Sequence, residues 1–265
     1  MINSSELWDK YQRKKQTYQE LADEYVCSSK TIKRRLDEYS VHFNDKFPDK
    51  SNVVIDTTYF GRTLGVMCFK DSITKIMLKK QYVKYETNEL YRIGIEEIRS
   101  KNIKIQSIIC DGRKGLFTLF GDVPVQMCHY HQQEIIRRYL TRNPKLQAGK
   151  ELLDLSKKLS KLTEKEFVAL FEEWGNKWTV FLKERSTDEK TGKSHYTHKK
   201  LRSAWRSIRN NLPYLFVFER FKELNMPNTT NDLEGSFGAL KKRLNNHNGL
   251  TLERKKKFID GFFKA

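Results

Sequence analysis

Three carboxylates and a Cys-His pair occupy settings in which side chains do chemistry: Asp56, Asp111, Glu234, Cys128 and His131. Asp56 lies inside the apolar run VVIDTTYF, where loss of hydration raises a carboxyl pKa unless a cation or hydrogen bonds compensate. Asp111 follows the run IIC, so it stands at the C-terminal end of a buried strand, where open α/β folds place their chemistry. Aspartate is also a favoured N-cap, and DGRKGL opens a short helix over 113–120. Cys128 and His131 close the next apolar run and invite a zinc reading. A structural zinc takes four ligands, however, and no second Cys-His pair has suitable spacing, which favours a packed pair that supports the core. A nucleophilic Cys-His pair would leave the carboxylates and the charge unexplained. Glu234 opens NDLEGSFGALKKRL, and Asn231 stands at the spacing of a capping box with it. On the same flank of that helix lie Gly238 and Lys241, so a carboxylate, bare backbone and a cation share a line.

The elements that must position these groups follow from periodicity. Glu6 to Tyr39 carries apolar residues at helical spacing, broken near Gln16 and again at 26–29, which predicts three short helices. YQELADEYVCSSKTIKRRL resembles a helix-turn-helix, with Leu21 and Ala22 in the first helix, Ser28 or Ser29 capping the second, and Ile32 and Leu36 facing inward. Its recognition helix would turn Ser29, Lys30, Lys33 and Arg34 toward DNA. Val26 stands at the turn, where glycine is common because β-branched residues disfavour positive φ. FPDKS around Pro48 is the expected hinge, giving a DNA-binding domain over 1–47.

Beyond it, 53–60, 63–69 and 75–85 read as an antiparallel meander, 87–101 as an amphipathic helix, and then come the strand to Asp111, its helix, the strand 123–127 and a helix over 130–141. The order β-β-β-α-β-α-β-α is that of a ribonuclease H-like α/β fold, a mixed sheet with flanking helices. The first part of this core spans 51–142; 143–225 reads as an all-helical insertion; 226–265 returns the last core helix, with Leu233, Phe237, Leu240 and Leu244 as its buried stripe, and a basic C-terminal segment.

Fifty-one Lys and Arg against 33 Asp and Glu give a formal charge of +18, which attracts a polyanion, nucleic acid above all. The segment 1–47 carries only about +1, whereas 183–209 and 238–265 carry about +6 each. Tyr196 and Trp205 are interleaved with the cations of the former, as suits a phosphate backbone with exposed bases. In the latter, Lys241, Lys242, Arg243 and the run Arg254 to Lys257 would hold DNA phosphates near Glu234. Four scattered cysteines suit reduced thiols in the cytoplasm, beside the nucleoid in a bacterium, and no apolar run reaches the ~20 residues that span a bilayer, so no membrane is involved.

The ordered series VVIDTTYF, IICDGRKGL, VQMCHYH and NTTNDLEGSFGALKKR resembles the catalytic core of the DDE transposases of the Mutator-like group and their bacterial insertion-sequence relatives. That resemblance implies that Asp56, Asp111 and Glu234 are the catalytic, metal-binding carboxylates, with Cys128 and His131 supporting them as the C-x-x-H motif. It implies Mg²⁺, with Mn²⁺ as substitute, because hard cations prefer carboxylate oxygens. The implied activity is hydrolysis at the ends of a mobile element and 3′-OH strand transfer into target DNA, by a homodimer or higher oligomer on double-stranded DNA. Two other readings remain open from the residues: a transposase-derived DNA-binding regulator without catalysis, and a ribonuclease H-like nuclease or resolvase.

Overall fold

A computed structural model describes residues 3–42 and 46–263. The three N-terminal helices are α1 (Ser4–Gln12), α2 (Tyr18–Glu24) and α3 (Ser29–Glu38). Thr17 and Glu20 form a reciprocal capping box at α2, and the Ser28 side chain accepts the Thr31 N–H to start α3, which places the predicted helix-turn-helix boundary at Ser28. Val26 holds the turn at φ +48°, in the left-handed region its sequence position requires, and its side chain is 91% exposed. Positions 1–2, 43–45 and 264–265, which the sequence assigns to the first and last domains, lie outside the described residues.

The core follows as β1 (Lys50–Phe60), β2 (Leu64–Asp71), β3 (Met77–Val83), α4 (Asn88–Arg99), β4 (Lys104–Cys110), α5 (Leu116–Leu119), β5 (Val125–Met127) and α6 (His129–Leu140). The sheet order is β3-β2-β1-β4-β5, with β1 antiparallel to β2 and parallel to β4. This five-stranded mixed sheet with flanking helices is a ribonuclease H-like fold. The helix expected over 113–120 is only α5, because Gly115 at φ +90° starts it late and leaves 111–114 as a loop.

The segment after α6 contains α7 (Gln147–Lys157), α8 (Glu164–Lys183), α9 (Lys199–Leu215) and α10 (Val217–Arg220). It also contains a two-stranded ribbon, β6 (Arg185–Thr187) with β7 (Ser194–Tyr196), which the expected all-helical pattern lacked. Residues 188–193 turn this ribbon, where Asp188 accepts the N–H groups of Lys190 and Thr191. The chain then returns in α11 (Asn231–Leu244) and ends in α12 (Leu252–Phe262).

Three apolar clusters hold these layers together. On one face of the sheet, Val53, Ile55, Met67, Phe69 and Ile108 meet Tyr91, Ile95 and Ile98 of α4. A side chain at Gly94 would strike the Phe69 ring at 2.1 Å, so glycine is what lets α4 approach the sheet. On the opposite face, Val54, Val66, Cys68 and Ile109 meet Leu233, Phe237 and Leu240 of α11, and this cluster continues through Phe258 and Ile259 of α12 into Leu7, Trp8, Leu21, Ile32 and Leu36. The N-terminal helices therefore share a core with the last two helices. The third cluster, with Leu152, Leu159, Phe167, Trp174, Leu201 and Ile208, binds the inserted helices to α6. No described helix is long and apolar enough to cross a membrane.

Candidate functional site

Strand alternation decides which face each carboxylate takes. Val54 points to the α11 side and its neighbours Val53 and Ile55 to the α4 side, so Asp56 lies on the α11 face. On β4, Ile109 joins the α11 side while Ile108 and Cys110 join the other, so Asp111 follows Ile109 onto the same face. The parallel register pairs Val54 with Ile109, and carried two residues on it brings Asp56 level with Asp111. The helix that covers this face, α11, carries Glu234 in its first turn.

The start of α11 is tied to the start of α6. The His129 N–H donates to the Asn228 carbonyl at 2.9 Å, and the Thr230 N–H and hydroxyl both lie 3.3 Å from Cys128 Sγ. Thr230 Oγ1 donates to Glu234 Oε1 at 2.8 Å, and His131 Nδ1 stands 3.6 Å from that oxygen. The capping box suggested by Asn231 is not formed: the N-cap is Thr230, and Glu234 turns its carboxylate to Thr230 and His131 instead. Lys70 pairs with Asp232 at 2.7 Å and donates to Ser236, pinning the same turn to β2. Cys128 and His131 thus brace Glu234 as much as the strand beside Asp111.

The electrostatics show that the groups share one field. Burial has the largest influence on Asp56; His131 and the Thr57 N–H favour its ionised form, Asp111 and Glu234 oppose it, and the carboxyl is pushed up to about 7. For His131, burial opposes the charged form, but the Cys128 side chain, Asp56 and Glu234 outweigh it and raise the imidazole to about 9.

Three carboxylates are donors of the type a hard divalent cation takes, but among the described residues the ligand atoms that lie within 4.8 Å of one another are those of Cys128, His131 and Glu234, and Asp56 and Asp111 do not join that group. One oxygen of each carboxylate is already engaged, Asp56 Oδ1 by the Thr57 N–H at 2.8 Å, Asp111 Oδ1 by the Arg113 N–H at 3.0 Å and Glu234 Oε1 by Thr230, while the other oxygen of each makes no hydrogen bond among the described residues. In a chain with 51 Lys and Arg, none of the three pairs with a lysine or arginine among the described residues. No fourth His or Cys joins Cys128, His131 and Glu234 among the described residues. His129 bonds the Leu215 carbonyl, His198 bonds Glu184, and His247 packs on Tyr11 and Phe258. A structural zinc centre is thus incomplete here.

Asp111 is held by a clamp that the sequence did not signal. Arg113, whose own N–H meets Asp111, donates through Nε to Asn88 Oδ1 at 2.9 Å and through Nη2 to the Glu86 carbonyl at 2.9 Å, both at the start of α4. Tyr91 donates to Glu86 and meets the Thr57 hydroxyl at 3.0 Å, which closes the loop back to β1. Asp111 caps no helix, since α5 begins behind Gly115.

The predicted DNA contacts divide. On α3, Lys30 and Arg34 are exposed, whereas Ser29 donates to Gln19 and Lys33 lies over the Tyr18 ring. On α11, Lys242 is exposed, Lys241 is exposed with its ammonium over the Phe60 ring, and Arg243 reaches the Gln12 carbonyl and the Phe262 ring. In the C-terminal basic run, Arg254 grips Asp37 with two bonds of 2.9 and 2.6 Å, and Lys257 caps the same turn. Tyr196 is covered by Arg185 and Arg202, and Trp205 by Arg209.

No protein-family model matches the sequence, and no curated protein matches it. Among solved structures, the chain is similar to the Drosophila P element transposase strand transfer complex, at 10% identity and a TM-score of 0.48, over 99% of this chain and 92% of that one. It is also similar to the simian T-cell lymphotropic virus intasome in complex with the PP2A regulatory subunit B56 gamma, at 10% identity and a TM-score of 0.25, over 59% of this chain and 69% of that one.

Proposed function

We propose that the chain is a DDE transposase related to the Mutator-like group, which hydrolyses DNA at element ends and transfers the 3′-OH into a target. What supports this reading is that strand alternation and register set Asp56 and Asp111 on the sheet face that α11, with Glu234, covers, and that none of the three pairs with a lysine or arginine among the described residues. Asp56, Asp111 and Glu234 would hold Mg²⁺ or Mn²⁺, which activates the attacking hydroxyl and stabilises the leaving oxygen in an in-line displacement. Around them, Thr230 orients Glu234, Arg113 orients Asp111, and His131 stands beside Glu234. Lys30 and Arg34 on α3 and Lys241 and Lys242 on α11 would contact phosphates of double-stranded DNA, with the chain acting as a homodimer or higher oligomer. The domain division at 1–47, 51–142, 143–225 and 226–265 belongs to the same proposal.

The test is a nicking and strand-transfer assay on labelled duplexes carrying the DNA that flanks the chain's own coding sequence. Mg²⁺-dependent release of a 3′-OH is expected from the wild type and not from Asp111→Asn, with DNA affinity retained. Equal cleavage by the variant sinks the assignment, and binding without cleavage on any flanking end reassigns the chain to DNA-binding regulation.

A further inference from the structure

A groove between α6 and α9 leads away from Asp111. Its inner end, 710 Å³ in volume, begins at Gly112, the residue after Asp111, and is lined by Lys114, Arg138 and Arg206. Its outer end, 480 Å³, carries Lys145, Lys199 and Lys200. Tyr139 lines both ends. Among the described residues no aspartate or glutamate lines either end. Of the acids close by, Glu134 pairs with Arg137 at 2.7 Å, Glu151 pairs with Lys177 at 2.9 Å, and Glu184 borders the outer end, where it holds the lining residue His198 at 2.9 Å. Lys114, Arg138 and Arg206 are exposed and form no ion pair among the described residues.

We propose that this groove binds a single unpaired nucleic-acid strand as it leaves the carboxylate cluster. A file of cations without acids matches a phosphate backbone. Tyr139 decides between single strand and duplex: the residue is 38% exposed where the two ends meet its side chain, and only an unpaired base offers a free face to stack on it. The rings of Tyr196 and Trp205, the aromatics that the sequence put forward for this task, are taken by the chain's own arginines, whereas Tyr139 lines the open path. The direction of travel rests on the transposase reading, because it takes Asp111 as the point where the strand is cut.

The experiment uses the full chain in EDTA, so that no cleavage is needed, with two fluorescein-labelled probes: an oligothymidylate of about 20 nucleotides and a blunt duplex of the same length. Fluorescence anisotropy is followed over a range of salt. Combining Arg138→Gln with Arg206→Gln should weaken oligothymidylate binding about tenfold and reduce the slope of log affinity against log salt by about 1.4, roughly 0.7 for each phosphate lost. Tyr139→Ala should weaken it about fivefold or more, Tyr139→Phe should restore it, and duplex affinity should stay within about twofold. Because these side chains are exposed, melting temperatures should not move. Unchanged oligothymidylate affinity, or an equal loss on duplex, overturns the proposal. The two readings fail separately: wild type that never nicks DNA while the groove variants behave as expected removes the catalysis and leaves the groove, and nicking with groove variants that bind normally removes the groove alone.

Discussion

At its first turn α11 holds Glu234, whose carboxylate among the described residues meets Thr230 and His131; at its last turn it holds Arg243, whose guanidinium reaches the Gln12 carbonyl and the Phe262 ring. One amphipathic helix thus keeps a charge under-neutralised at one end and, at the other, a charge turned toward a backbone carbonyl and a ring of the fold. The difference teaches that sign and position along a helix do not separate a functional charge from a structural one. Partners do, because a charge whose hydrogen-bonding capacity is used inside the fold has little left for a ligand.

The comparison can be broken or sharpened by measurement. The largest effect belongs to the first turn: Glu234→Gln keeps the Thr230 hydrogen bond but removes the charge, and should cost cleavage about a thousandfold with little change in melting temperature. A variant that melts early but cleaves normally would make Glu234 a structural residue like Arg243.

Next comes pH. Folding raises the Asp56 carboxyl to about 7 from an unfolded value of roughly 3.9, so the folded chain binds that proton more tightly. The stabilisation it brings is complete below the unfolded value and is lost as pH rises to 7. His131, raised to about 9, likewise contributes below its unfolded value of roughly 6.5 and loses that contribution as pH rises through 9. In EDTA, Asp56→Asn should therefore melt several degrees above the wild type at pH 8, the gap closing toward pH 4, while Mg²⁺ should raise only the wild-type melting temperature. Parallel curves for the two proteins would remove Asp56 from the buried cluster.

A smaller effect is expected at the last turn. Arg243→Ala should destabilise by about 1 kcal/mol and leave the salt dependence of DNA binding unchanged, whereas Lys242→Ala should reduce that slope by about 0.9 and leave melting unchanged. Exchanged outcomes would return Arg243 to the DNA. The smallest is Val26→Gly, which relieves a β-branched residue at φ +48° and should raise stability by about 1 kcal/mol, read as about 2–4 °C in Tm, without touching activity.

Much of this was legible in the sequence because it depends on period and local chemistry. The buried stripe Leu233, Phe237, Leu240 and Leu244 lies as its spacing of four, three and four requires, and the strand and helix order of the core was readable from alternation and apolar runs. The ribbon at 185–196 was missed because its strands are three residues each, too short to show alternation within a cationic stretch. The helix over 113–120 was overdrawn because positive φ at Gly115 is a backbone choice that composition permits without announcing.

At the site, the sequence alone determined that Asp56 lies within an apolar strand, that Asp111 follows one and that Glu234 stands in the first turn of a helix, whereas the shared face of Asp56 and Asp111 came from the folded clusters and register. The tertiary structure decided what those carboxylates touch. The parallel register of β1 and β4, the tie from Cys128 to Thr230, the Arg113 clamp and the capture of Arg243 and Arg254 by the N-terminal helices all join residues far apart in the chain. A polar side chain carries no mark of its distant partner, so only the folded arrangement could assign one cation to packing and leave another facing solvent.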